Sequence, residues 1–549
     1  MPVEENLCLQ SYARGPARPL LELTIGDLLT RTADRFPGRL AVASMHQGQR
    51  LTWSELSAAA DCVARGLWSL GIRRGDRVGI WSTNCIEWIM MHMGAARAGA
   101  SLVNVNPAYR SHELQFTLTR SRMKALFLWH KDKRADYEEI LGRACHGLNL
   151  ALEHTIYFDS PLWPALLDAE GRLPDRVAVG DVANIQYTSG TTGLPKGVML
   201  THHNVVNNGQ FLAQGFHYTE QDKIVLPVPL FHCYGCVIGT MSALNSGAAI
   251  VLPNWTFDPR ATLRAVHEER ATSVYGVPAM YVAEFGLDDF ASYDLTSLRT
   301  GMMSGAPCPV ELMKRVLEEM HCRELVIAYG QTETSPVVTM SDAGDSIEIR
   351  VHTVGRPMPQ TDIKIASLET HEAVPCGEPG EVCVRGYAVM KGYDGDPEGT
   401  ALVIQQDGWL RTGDLGVMRE DGCIHITGRS RDVIIRGGEN IYPREVEEFL
   451  YTHPKVGEVQ VIGIPNARLG EIVVAWVRLR PGLKPDIDAT EEEIKEFCKG
   501  QIAYYKIPEH VRFVDEFPAT LSGKIQKYKM REFEIEARGL QELAKTATA

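Results

Sequence analysis

Charge is missing from the sequence where its absence is most conspicuous: from Ile224 to Phe257 there is no Asp, Glu, Lys or Arg. A run of that length could cross a bilayer. However, Pro227, Pro229, Asn245, Gly247 and Pro253 interrupt it, so a strand, a turn, a buried helix and a second strand account for it better. Ordered cysteine spacing is also lacking. Twelve cysteines are scattered, and Cys233-Tyr234-Gly235-Cys236 has neither the second ligand pair a zinc site needs nor the thioredoxin-like setting of a redox motif, which favours thiols in a core or pocket wall. A reducing compartment fits, and a cytoplasmic location is expected. MPVEENLCLQ shows no basic segment leading into an apolar one, so no secretory signal is expected. Excess positive charge is absent too: 56 Lys and Arg against 69 Asp and Glu give a net −13, which argues against a general nucleic-acid surface.

What is present is material for more than one core, 549 residues of which 44% are apolar. Thr52 and Glu55 form a T-x-x-E helix start, with Leu56, Ala60, Val63, Leu67 and Leu70 on one face and Gly71 as stop. A strand over Arg77–Trp81, a helix over Ile86–Ala98 and a strand over Ser101–Val105 follow. This alternation to about residue 330 predicts mixed or parallel sheets covered by helices. After about residue 350, short β-rich runs suggest a small barrel-like subdomain. From Ser430 the pattern is that of a compact α+β module, whose tail beyond Arg531 reads as a charged helix that frays. The fold class is therefore α/β, with a large domain over 1–429 and a small C-terminal domain over 430–549, divided at the short charged run Gly428 to Asp432.

Tyr187 to Gly197, YTSGTTGLPKG, concentrates the chemistry. Gly190, Gly193 and Gly197 let a backbone bring its N–H groups against an anion. Thr188, Ser189, Thr191 and Thr192 add hydroxyl donors, and Lys196 adds a mobile charge. The Walker A order Gly-Lys-Ser/Thr is not met, since Pro195 precedes the lysine and Gly197 follows it. By composition alone the stretch also suits an ordinary surface turn. A second turn, Tyr329-Gly330-Gln331-Thr332-Glu333-Thr334, pairs an aromatic ring and hydroxyls with one carboxylate.

The loop at 187 resembles the signature loop of the adenylate-forming superfamily, which includes acyl-CoA synthetases, luciferases and peptide-synthetase adenylation domains. SGAP at 304, YGQTETSP at 329, RTGD at 411, GRSRDVIIRGGENIYPREVE at 428 and SGKIQK at 522 recur in the family order. The resemblance implies that Tyr329 packs on adenine with Gly330 and Gln331 beside it, that Thr332 binds the α-phosphate, and that Glu333 holds Mg²⁺. Gly305, Ala306 and Pro307 would lie along the adenine and acyl group. Asp414 would accept the ribose hydroxyls, Arg429 would contact ribose or phosphate, and Ile426 would pack on the base. Lys524 is similar to the lysine that reaches the α-phosphate and carboxylate oxygens during adenylation. Gly437, Gly438 and Glu439 resemble the face that opens a path for coenzyme A once the small, mobile domain rotates, and His232 matches the residue gating that path. Arg431 stands at the hinge, where the family pattern carries Asp or Lys.

The acyl pocket is expected from Phe231 to Ile238, Tyr275 to Pro278, Gly301 to Ala306 and Tyr329 to Val337. No carboxylate lies between Lys223 and Asp258, so an α-amino acid would bury an unpaired ammonium. The closest resemblance is to medium-chain fatty acyl-CoA synthetases. The implied reaction joins a carboxylic acid to ATP with release of pyrophosphate, then to coenzyme A with release of AMP. An aryl-CoA ligase, an acyl-AMP ligase that loads a separate carrier protein and a non-catalytic nucleotide-binding regulator stay open as alternatives. The partners implied are the small molecules themselves, without nucleic acid or a membrane span, and a homodimer stays open.

Overall fold

The computed structural model describes residues 10–148, 150–170, 173, 176–188, 195–306, 308–429, 432–437, 439–520 and 525–546. Packing divides the chain into two compact units. The larger comprises Ala13–Ile363 and Val384–Arg411; the smaller comprises Lys364–Cys383 and Thr412–Ala549 with Met1–Tyr12.

The larger unit is built on two sheets. One has seven strands in the order Gly392–Tyr393, Lys196–Thr201, Val182–Thr188, Ser101–Val105, Arg77–Trp81, Ala125–Leu128 and His154–Tyr157. The last five run parallel. The other has nine strands and includes the parallel set Thr300–Ser304, Ser273–Gly276, Lys223–Val225 and Ala249–Leu252. Local chemistry sets the covering helices. Thr52 caps Trp53–Ser69 in a capping box with Glu55, and Leu56, Ala60, Val63 and Leu67 are buried. That helix lies against Ile86–Ala98 so closely that a Cβ on Gly94 would fall 2.4 Å from the Val63 Cβ.

The uncharged stretch folds into the strand Lys223–Val225, a helix and the strand Ala249–Leu252. Its helix departs from the sequence expectation in one respect: Tyr234–Gly239 is a π-helix that continues into the α-helix Thr240–Ser246. Its glycines pack closely. A Cβ on Gly235 would meet the Pro229 carbonyl oxygen at 2.4 Å, and one on Gly239 the Leu226 side chain at 2.6 Å, while Thr240 Oγ1 donates to Gly235 O at 3.0 Å. Among the described residues no helix is long and apolar enough to cross a membrane.

The smaller unit contains the antiparallel pair Leu410–Met418 and Ile424–Arg429, the first strand entering it at Thr412. It also holds a sheet ordered Glu439–Ile441, Ile434–Arg436, Gly470–Leu479 and Val456–Asn466, with His510–Phe513 parallel to Gly470–Leu479. Alternation along Gly470–Leu479 serves two cores: Val473, Ala475 and Val477 pack with Val446, Leu450 and Ile494, whereas Ile472, Val474 and Trp476 pack with Met530.

The tail corrects the expectation of a fraying helix. Lys527–Ala537 is docked through Met530 and Glu534, both 0% exposed. Glu534 accepts from Trp476 Nε1 at 2.8 Å and pairs with Arg512 and with Arg538 Nε at 2.8 Å. Burial opposes ionisation of this carboxyl, but the two guanidiniums outweigh it and hold it below the usual carboxylate range. A depressed carboxyl contributes stability above its unfolded pKa, and that contribution is lost as pH falls through the folded value. Glu534→Leu should therefore cost the smaller unit about 2 kcal/mol after discounting for the partly exposed guanidiniums. Hydrogen exchange of Gly470–Leu479 checks this, and the difference from wild type should shrink toward acid.

Candidate active site

The strand that precedes the signature loop closes the parallel part of the seven-stranded sheet. Val182–Thr188 runs parallel to Ser101–Val105 and turns back through Lys196–Thr201, with Thr188 opposite Lys196 and Tyr187 opposite Gly197. Thr188 therefore stands at the carboxyl end of its strand, the end at which open parallel sheets bind ligands. Ser189, Gly190, Thr191, Thr192 and Gly193 lie outside the described residues. At Gly197 a Cβ would come within 3.2 Å of both Asp394 and Tyr187, so this glycine serves a close approach.

Lys196 and Glu333 converge on a residue that the sequence reading did not select. The Lys196 ammonium lies 4.7 Å from the centroid of the Tyr393 ring, and the Tyr393 hydroxyl donates to Glu333 Oε1 at 3.0 Å. Burial, followed by the charge of Glu333, holds the phenol well above its usual range, so it stays a donor. The Glu333 carbonyl accepts from Met390 N at 2.9 Å. Next to it, the buried Thr332 Oγ1 is 3.8 Å from Cys233 Sγ. Gln331 N donates to Thr334 Oγ1 at 3.0 Å, and Tyr329 and Gly330 close the strand Glu324–Gly330 at a bulge.

The pocket stretches are tied together by one side chain. The Tyr234 hydroxyl is shared between Gly276 O at 3.1 Å and Met302 O at 2.9 Å, and its ring stacks on Tyr275. Ser304 Oγ donates to Ala328 O at 2.7 Å, Gly305 takes φ +87°, and the Ala306 carbonyl accepts from Cys308 Sγ. Pro307 lies outside the described residues. His232 Nδ1 accepts from Tyr234 N at 3.2 Å, which places the proton of the neutral ring on Nε2. Two buried asparagines, also not selected from sequence, hold the chain leading into it. Asn84 donates to Val228 O and accepts from Leu230 N, while Asn104 donates to Phe231 O at 2.9 Å.

A further group lies beneath Gly197. Arg77 donates to Asp394 Oδ1 at 2.6 Å, whereas Asp394 Oδ2 and the Tyr187 hydroxyl are buried and have no hydrogen-bond partner among the described residues. Burial pushes the Asp394 carboxyl up despite Arg77. The available sequence signal for Tyr393 and Asp394 was the turn-rich run Gly392-Tyr393-Asp394-Gly395-Asp396-Pro397.

In the smaller unit the expected ribose acceptor meets the expected ribose or phosphate contact. Asp414 and Arg429 face each other across the antiparallel pair, with Arg429 Nε 3.1 Å from Asp414 Oδ1. Asp414 is 6% exposed, and Ile426 sits half-buried opposite Gly416. Gly437 takes φ +61° and donates to Leu469 O at 2.7 Å, and Glu439 is exposed opposite Arg436. Arg431, Gly438 and Lys524 lie outside the described residues. The structure thus gathers Thr188, Lys196, His232, Thr332 and Glu333 within one unit and Asp414, Ile426 and Arg429 within the other.

Residues 29–394 match the family described as AMP-binding enzyme, and residues 445–524 the AMP-binding enzyme C-terminal domain. The chain is 45% identical to YngI of Bacillus subtilis (strain 168), an acyl-CoA synthetase by name, over 94% of this chain and 98% of that one. It is 42% identical to the mitochondrial medium-chain acyl-CoA ligase ACSF2 of Mus musculus, over 95% and 89%. Its fold superposes on the ATP-bound crystal structure of MatB from Rhodopseudomonas palustris with a TM-score of 0.83 at 29% identity, over 93% and 99%.

Proposed function

We propose, for a chain that belongs to the AMP-binding enzyme family and is an AMP-forming acid–CoA ligase, that its acid is a medium-chain fatty acid. In the first half-reaction a carboxylate oxygen attacks the α-phosphorus of ATP and pyrophosphate leaves. In the second, the thiol of coenzyme A attacks the acyl carbon and AMP leaves. The loop from Thr188 to Lys196 cradles the phosphates, Thr332 takes the α-phosphate, and Tyr329 with Gly305 and Ala306 lines the adenine. Asp414 and Arg429 take the ribose, with Ile426 on the base. The small domain that moves between the half-reactions is 430–549, which carries Lys524 for the first and the face at Gly437 to Glu439 for the second. His232 stands at the entry for the thiol.

Glu333 is the residue that would hold Mg²⁺, which when bound screens the triphosphate charge. The donor set fits that metal. Among the described residues no cluster of three His, Cys, Asp or Glu offers an all-protein cage, and Mg²⁺ takes one or two carboxylates with phosphate oxygens and water.

The observation that carries the choice of acid is the wall around Tyr234. Its hydroxyl is consumed by two backbone carbonyls, and Tyr275 and Met302 beside it are 0% exposed and bring no charge. Medium chain length is supported by the name of the mouse relative. Hexanoate to decanoate should therefore drive pyrophosphate release at least about a hundredfold better than any α-amino acid. An unpaired buried ammonium costs several kcal/mol, whereas each methylene contributes about 0.8. A screen of straight-chain, aryl and amino acids, each with and without coenzyme A, tests this. Parity between an amino acid and octanoate would sink the pocket reading, and acyl-AMP made without thioester formation would favour carrier loading.

A further inference from the structure

A lysine and a glutamate that converge half-buried on one spot pair directly unless something stands between them. In a triphosphate site such a pair would have to break before phosphate could take the ammonium and metal the carboxylate. Here Tyr393 touches both: the ammonium of Lys196 lies over its ring at 4.7 Å, and its hydroxyl donates to Glu333 Oε1 at 3.0 Å.

We propose that Tyr393 is a positioning residue of the triphosphate site, keeping Lys196 and Glu333 apart so that each is available to its own ligand group. This rests on the roles given to those two residues above. The tyrosine is fixed from several sides. Its N–H donates to Thr400 Oγ1 at 2.9 Å, and it pairs with Val198 on the strand that begins at Lys196. On either side of it, Lys391 N donates to Met199 O at 3.0 Å and Asp394 N to Gly197 O at 2.7 Å. Arg77 anchors the Asp394 side chain, and Met390 N holds the Glu333 carbonyl. One short segment therefore sets the backbones of both the lysine and the glutamate. The aromatic face attracts the cation and the neutral hydroxyl supports the carboxylate. Each contact is weaker than a lysine–phosphate or a carboxylate–metal contact, so both yield when the ligand arrives.

The test is calorimetric titration of the full chain with ATP, in EDTA and over a range of Mg²⁺ concentrations. Tyr393→Leu removes ring and hydroxyl, lets Glu333 capture Lys196, and should weaken metal-free ATP binding about tenfold. Adding Glu333→Gln to that variant should restore metal-free affinity, because no carboxylate remains to take the lysine; a merely structural role for Tyr393 predicts no such rescue. Tyr393→Phe keeps the ring, so metal-free affinity should stay within about twofold of wild type, while half-saturating Mg²⁺ rises about threefold or more. Unchanged metal-free affinity in the Leu variant, or a loss that Glu333→Gln fails to repair, overturns the proposal. Should the Leu variant not fold, unchanged Mg²⁺ dependence in the Phe variant overturns it instead. Wild-type protein that bound no ATP under either condition would overturn the nucleotide assignment and the proposal with it, whereas ATP-binding wild type with indifferent variants would overturn the proposal alone.

Discussion

Lys524→Ala is expected to lower pyrophosphate release about a hundredfold or more while conversion of supplied acyl-AMP and coenzyme A to thioester largely persists. The charge that spreads over the α-phosphate and attacking carboxylate needs a fixed cation, and losing one costs roughly 3 kcal/mol or more. The described residues nearest to Lys524 in sequence are joined to one another and to the sheet. Ala519 and Ile525 form an antiparallel bridge, and Gln526 N donates to Pro518 O at 2.8 Å. Just beyond it, Lys527 Nζ meets the buried Glu447 at 2.6 Å, and the same carboxylate accepts from Val461 N at 2.7 Å. That pair fixes the start of the following helix to the sheet. Separate assays of the two half-reactions check the prediction. Equal loss in both would show that the lysine serves both conformations and would remove the reason for a moving small domain.

Local patterns carried the elements well. Trp53–Ser69 lies where the T-x-x-E start and the Gly71 stop placed a helix, and Arg77–Trp81, Ile86–Ala98 and Ser101–Val105 lie where the apolar runs placed them, because burial periodicity and caps are written within a few neighbouring residues. The order of family motifs likewise made the chemistry readable before any contact was known. What stayed hidden depended on residues far apart in the chain. Tyr393 has no local mark of its position between Lys196 and Glu333, since that position arises from the pairing of a two-residue strand with Lys196–Thr201. Asn84 and Asn104 likewise carry no local mark, and only the packing shows them holding the backbone ahead of His232. The close approach of Gly235 to Pro229 and of Gly239 to Leu226 was hidden for the same reason. The charged tail misled for a different reason. Charge suggested solvent, yet Glu534 is buried because Arg512, Arg538 and Trp476 surround it.

Gly330→Ala should abolish both pyrophosphate release and the stabilisation that ATP gives the protein, a larger loss than any surface change around the site. The glycine sits between the residue proposed to stack on adenine and those proposed to hold the phosphates. Its need is steric: a Cβ there would lie 1.8 Å from the Pro336 carbonyl oxygen, 2.7 Å from the carbon of that carbonyl and 3.0 Å from the Val337 Cα. None of these atoms can move aside by changing a rotamer, because all are backbone. The carbonyl is also held in place, accepting from Thr334 Oγ1 at 2.7 Å, while Thr334 in turn receives Gln331 N. Relief must therefore come from opening the turn itself, which carries Thr332 and Glu333 away from Lys196. Overpacking of this kind costs about 1–3 kcal/mol where neighbours can adjust and more where they cannot. Gly305→Ala provides the comparison. That residue takes φ +87°, yet its added Cβ would meet only Val277 Cγ1 at 3.2 Å, so backbone strain of about 1–2 kcal/mol is the expected cost. Thermal shifts with and without MgATP, alongside pyrophosphate release, separate the two. Retention of an ATP-induced shift in Gly330→Ala would mean that the turn tolerates a side chain and that its tightness does not serve the nucleotide.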